Sequence, residues 1–172
     1  MSAPRSLRRL AASLALMLCT AASAHGGLAC VLQAPARAEP GRPVPLRFTL
    51  TNQGPAPVHL LVWNTPFEEA WFAPFVEVSR DGIALPYAGP MAKRGDPSRE
   101  EYIRLAPGAS RSAEVDLAQP FDLSQPGHYR VEPRLRLFDV VRGSRPRLPR
   151  PRGELASAAL PCNAADVVIA PP

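Results

Sequence analysis

The sequence predicts an all-β protein: an Ig-like antiparallel two-sheet β-sandwich of about 7–8 strands, preceded by a signal peptide. Three observations predict it. Proline supplies 22 of the 172 residues, well above a usual share of roughly 5%, and long helices are excluded because proline lacks the N–H that a helix interior needs. Helix formers are not arranged in long amphipathic runs, whereas short segments alternate apolar and polar residues, the period of a half-buried strand. Hydrophobic residues make up 46% of the chain, enough for one domain of this length to bury a core.

Residues 1–24 read as a secretory signal peptide and residues 25–172 as the single domain. Arg5, Arg8 and Arg9 form a basic start, and residues 10–20 (LAASLALMLCT) form an apolar run too short to span a bilayer as a helix. Ala22-Ser23-Ala24 then supplies small residues at a cleavage spacing. Cys19 does not suit a lipoprotein anchor, because bulky Leu18 precedes it. The predicted product is secreted or periplasmic, with no transmembrane segment. Cleavage takes three arginines and no acid, so the formal charge falls from +5 to +2. It also leaves Cys30 and Cys162, an even pair in an oxidising compartment, for which a disulfide is the default expectation.

The strands follow in order. The first contains Cys30 among Leu28, Ala29, Val31 and Leu32. From Val44 the chain reads VPLRFTLTN, with Val44, Leu46, Phe48 and Leu50 on one face and Arg47, Thr49 and Thr51 on the other. Asn52-Gln53-Gly54-Pro55 breaks it, and Val58 to Trp63 is predicted to return beside it as a hairpin. Phe75 to Ser79 turns at Asp81-Gly82 into Ile83 to Leu85, a second hairpin. Tyr102 to Leu105, Ser112 to Leu117, Gly127 to Phe138 and Val167 to Ala170 complete the set. Pro133 predicts an interruption within its strand. Tyr129, just after Pro126-Gly127, has the placement of a tyrosine corner, a structural role. Residues 142–153 hold Arg142, Arg145, Arg147, Arg150 and Arg152 and read as an exposed Arg/Pro-rich loop. Without those five the remainder is net acidic, and base-stacking aromatics are absent around them, so no nucleic-acid partner is predicted.

Asn64-Thr65-Pro66-Phe67-Glu68, together with EVSRDGIALPYAGPMAKRGDPSREEYIRLAPG (Glu77 to Gly108), resembles a known family. The ordered set is a strand ending at an Asn-Gly turn, a Trp-Asn-Thr-Pro segment, the Asp-Gly hairpin, Gly-Pro-x-x-Lys-Arg and Leu-x-Pro-Gly. It is similar to the N-terminal non-catalytic, pro-domain-like region of secreted deuterolysin-like zinc endopeptidases, particularly the lysine-specific type. The likeness runs from about Leu28 to Val131. Those peptidases bind zinc through two histidines one helical turn apart. Here the histidines are His25, His59 and His128, too far apart for that pattern. The resemblance therefore implies a protein-binding domain with no enzyme activity and no cofactor, an inhibitor or folding assistant whose partner is a secreted protein such as a zinc metallopeptidase.

The candidate contact residues are Asn64, Thr65, Pro66, Phe67 and Trp71 in an exposed patch, and Lys93 and Arg94 on a stiff, proline-bearing loop suited to entering another protein's cleft. Trp63 reads as core. Glu68-Glu69 and Glu100-Glu101 read as solvated charge, and no serine lies in a G-x-S-x-G elbow. The alternative function is an envelope ligand- or copper-binding module. Cleavage after Ala24 would make His25 the amino terminus, where amine and imidazole chelate Cu(II), with His59 or His128 as a second ligand.

Overall fold

The computed structural model describes residues 27–171, so the segment expected to be a signal peptide and His25 lie outside the described residues. The chain runs β1 (Leu28–Gln33), β2 (Arg37–Ala38), β3 (Pro45–Asn52), β4 (Val58–Leu61), β5 (Val76–Arg80), β6 (Ile83–Ala84) and β7 (Tyr102–Leu105). It continues with β8 (Ser110–Asp116), β9 (Gly127–Pro133), β10 (Arg136–Leu137), β11 (Val140–Arg142), β12 (Ala158–Ala159) and β13 (Ala165–Ile169). One-turn 3-10 helices at Pro66–Glu68 and Arg152–Glu154 are the helical segments among the described residues. The class is all-β.

The ladders form four sheets, in the orders β1-β3-β8, β2-β13-β9-β5-β6, β11-β4-β7 and β10-β12. In β3 the even positions Leu46, Phe48 and Leu50 are fully buried. The odd ones face water, where Thr49 and Thr51 share hydroxyl hydrogen bonds with Ser112 and Ser110 across the β8 ladder. This period-two split is what fixes the register, since a one-residue slip would turn the apolar set outward. Buried side chains from β1 and β3 meet Val76, Val78, Tyr129, Val131, Val167 and Ile169 in one core. Residues 34–38 carry the chain from one sheet to the other, and β2 pairs in parallel with β13.

Two closures hold the core sheets together. Cys30 in β1 is bonded to Cys162, just before β13. Beside it, the Asn163 side chain accepts from the Leu32 N–H at 2.9 Å and donates to the Leu32 carbonyl at 2.8 Å, the pairing a further strand would make. At the other end Tyr129 is 1% exposed and its hydroxyl donates to the Gln125 carbonyl at 2.6 Å. Gly127 opens β9 where a Cβ would stand 2.7 Å from an Asp81 carboxylate oxygen. The β5–β6 turn has Asp81 and Gly82 both at positive φ, 49° and 84°, the conformation a two-residue hairpin loop requires.

One expectation is corrected. β3 and β4 are not a hairpin: β3 pairs with β8 and β4 with β7. The buried Asn52 amide sits at the bend and donates to the Ala56 and Leu105 carbonyls, so the chain changes sheet there. As Pro133 predicts, the Gly127 to Phe138 run breaks after it into β9 and β10, because the proline supplies no N–H to the ladder. Residues 142–153 are exposed or half-buried, as a loop reading expects, but they begin in β11 and are pinned by bonds described below.

Because the disulfide closes a loop of sequence separation 132, Cys30→Ser with Cys162→Ser is expected to lower unfolding free energy by about 4–5 kcal/mol on the chain-entropy account. Urea unfolding of the double variant against the oxidised protein checks this, and coincident midpoints would refute it.

Candidate functional site

After β4 the chain turns at Asn64, which adopts left-handed backbone, φ 53°, a conformation asparagine tolerates. Thr65 caps the 3-10 turn: its hydroxyl accepts from the Phe67 N–H at 3.2 Å and donates to the Val62 carbonyl at 2.6 Å. The turn aims Glu68 back at its own start, where it accepts the Asn64 N–H at 2.7 Å. One Arg94 guanidinium nitrogen reaches both Glu68 oxygens, at 2.7 and 2.9 Å. The guanidinium carbon lies 5.3 Å from the centroids of both Trp63 and Phe72. With side chains 19% and 7% exposed, this pair is largely shielded from water, unlike an exposed pair worth at most about 1 kcal/mol.

The predicted contact patch divides accordingly. Thr65, Pro66, Phe67 and Trp71 are buried, a correction to the expectation that they form an exposed surface. Phe67 packs edge-on to Phe48 at 5.0 Å. Trp71 stacks on Phe75 at 4.2 Å and its indole N–H donates to the Asp116 carbonyl at 2.9 Å. Their apolar neighbours Phe72, Ala73 and Phe75 were the signal for burial. Arg94 turns inward, Asn64 is half-buried and Lys93 is exposed. Glu68 and Glu101 are not solvated charge either. Burial alone would raise the Glu101 carboxyl, but hydrogen bonds from the Ser98 N–H and the Trp63 indole outweigh it and hold it below the usual range.

Sequence reasoning missed a second cluster, centred on Asp139. This residue is fully enclosed. Its carboxylate accepts from Arg150 at 2.6 and 3.0 Å, from the Tyr102 hydroxyl at 2.9 Å and from the Ala156 N–H at 3.2 Å. Arg152 extends the attachment: its backbone N–H meets Asp96 at 2.8 Å and its guanidinium donates to the Arg94 carbonyl at 2.8 Å. The Arg/Pro-rich segment is thus a strap drawn down over the Lys93–Asp96 loop.

Between strap and loop lies an open groove of about 750 Å³. Trp63, Phe138 and Leu155 supply its apolar lining, and Lys93, Arg94, Arg136 and Arg152 its charge. Arg136 was legible in principle, since it alternates with buried Leu135 and Leu137. Arg152 had been read only as one of a charged run.

The two described histidines do not gather. His59 sits in β4 between Arg104 and Val141 on the flanking strands, and His128 is the second residue of β9 in another sheet, 4.0 Å from Asp166. Burial, then the charge of Arg104, lowers the His59 pKa and keeps the ring neutral. The same positive field opposes a metal cation there. Among the described residues no three His, Cys, Asp or Glu side chains are grouped to hold a metal ion.

No protein-family model matches the chain. It is 38% identical over 88 residues to an extracellular protease of Aeromonas hydrophila, a match covering 51% of this chain and 25% of that protein. It is 34% identical over 88 residues to a neutral protease 2 homolog of Uncinocarpus reesii, covering 50% and 24%. The chain is therefore homologous to a segment of deuterolysin-like neutral proteases, and the match spans about a quarter of those relatives' length. Likeness to solved structures is remote: the PapD-like domain 7 of human CEP192 is 13% identical at a TM-score of 0.34, covering 96% of this chain and 99% of that one. No functional argument follows from it.

Burial, then the hydrogen bond to Asp139, pushes the Tyr102 hydroxyl up to about 12, from an ordinary value near 10. The fold binds this proton more tightly than the unfolded chain does. Its stabilising contribution is therefore complete below about pH 10 and lost as pH rises through about 12. Urea midpoints measured across that window should fall for the native protein and fall less for Tyr102→Phe; identical declines would contradict the assignment. Asp139→Asn, which strips Arg150 of its buried counter-charge, is expected to cost about 3 kcal/mol or more, read as a lowered urea midpoint.

Proposed function

We propose that this chain is a secreted Ig-like β-sandwich that binds an exported protease, as its inhibitor or folding assistant, and catalyses no reaction itself. The observation that carries the reading is the 88-residue match to neutral proteases, which leaves three quarters of those proteins unmatched. A segment shared with a protease, folded around its own core, suits a domain that works on a peptidase from outside. The Cys30–Cys162 bond suits an oxidising compartment. The contact surface is the groove face around Lys93, because Arg94 is already spent on Glu68 and the aromatic residues of the 3-10 turn are spent on the core.

The test uses the exported, oxidised protein and the Aeromonas protease expressed without its matched segment. The expected outcome is a higher refolding yield of that peptidase, or slower hydrolysis of a protein substrate, in proportion to added protein. No change in either quantity at excess overturns the reading.

A further inference from the structure

We propose that the groove between the strap and the Lys93–Asp96 loop binds an acidic peptide segment of a partner protein, with an apolar residue of that segment seated on Phe138 and Leu155. The inference rests on the protein-binding reading above and names the chemistry of what is bound.

The charge of the groove is one-sided. Four of its lining residues are cations and none is a carboxylate. Of the nearby acids, Glu68 is engaged by Arg94, Glu101 by Trp63 and Ser98, and Asp96 by the Arg152 N–H, while exposed Glu154 is not part of the lining. Among the described residues, the Lys93 and Arg136 side chains have no ion-pair or hydrogen-bond partner, and Arg152 uses one guanidinium nitrogen on a carbonyl. Their field therefore points into the groove uncompensated, an arrangement that recruits and orients a negative segment. The strap holds Arg152 in place before any ligand arrives, so less ordering entropy is lost on binding.

The floor is apolar. Half-buried Phe138 and Leu155 form it, with buried Trp63 backing Phe138 edge-to-face at 6.3 Å, and the adjoining rim exposes Met91 by 70% and Phe72 by 37%. A volume of about 750 Å³ holds a few residues of extended chain, far more than a single anion. A nucleic acid does not fit this surface, because the Trp63 face is covered by Arg94 and offers no stacking platform. Apolar floor with cationic rim matches alternating acidic and apolar side chains.

The experiment measures anisotropy of a short fluorescein-labelled peptide of alternating glutamate and leucine, with its glutamine counterpart as the uncharged control. Native protein should bind the glutamate peptide, more weakly as salt rises, and bind the glutamine peptide far less. Lys93→Ala with Arg136→Ala, both exposed side chains, should weaken binding about tenfold, while Arg37→Ala on β2 should leave it unchanged. Equal losses in the Arg37 variant would reduce the effect to bulk charge and overturn the site. So would equal binding of the two peptides. If the double variant still inhibits or refolds the peptidase as the native chain does, and the peptide fails to bind, the groove is wrong and the protease reading survives. Peptide binding without any effect on the peptidase has the reverse meaning.

Discussion

A single carboxylate with no access to water sets the terms for one whole end of this protein. Asp139 lies between β10 and β11, and the three-stranded sheet β11-β4-β7 closes around it: its backbone carbonyl accepts the Leu61 N–H while its side chain draws in Tyr102, Arg150 and Ala156. A buried charge is tolerated only when its lone pairs are filled. Four donors from three residues fill these, one from β7 and three from the strap. The cost of leaving any of them out is what gives a segment as polar and proline-rich as 143–157 a defined course, where composition alone would leave it loose.

The second enclosed pair, Arg94 with Glu68, works by a related logic at shorter range. Numerous other ion pairs decorate the sheet surfaces, among them Arg130 with Asp166 and Arg134 with Glu77, each about half exposed. Such pairs contribute little in water. Arg94 differs in having aromatic rings beside it and a partner whose orientation is set by a capped turn. It joins the 3-10 turn to a loop 26 residues away, so a charge that composition assigns to the surface becomes part of the groove wall.

What the sequence disclosed followed from rules that act locally. Alternation located β3 to within a residue, Asp81-Gly82 marked the β5–β6 turn, Pro133 marked the end of β9, and an even cysteine count anticipated the Cys30–Cys162 bond. What it concealed depended on distance. Nothing within residues 44–63 reveals that β3 seeks β8 and β4 seeks β7, because the bend is stabilised by an Asn52 amide reaching Leu105. Lys93 and Arg94 are adjacent and alike in charge, yet one is exposed and the other enclosed, and the difference is Glu68. Trp71 looked like a surface anchor because Glu69 and Ala70 precede it, whereas a left-handed Glu69 reverses the chain and sends the indole inward.

The disulfide also changes what damage means for this molecule. It joins residue 30 to residue 162, so nearly every exposed turn, and the strap itself, lies inside one covalent ring. A single peptide bond broken within that ring opens a loop but releases no fragment, and the two pieces stay in register through the β1–β3 and β9–β13 ladders. Such a nicked molecule would travel as one species on a non-reducing gel and as two after reduction. A chain built this way can be cut once and remain a single particle.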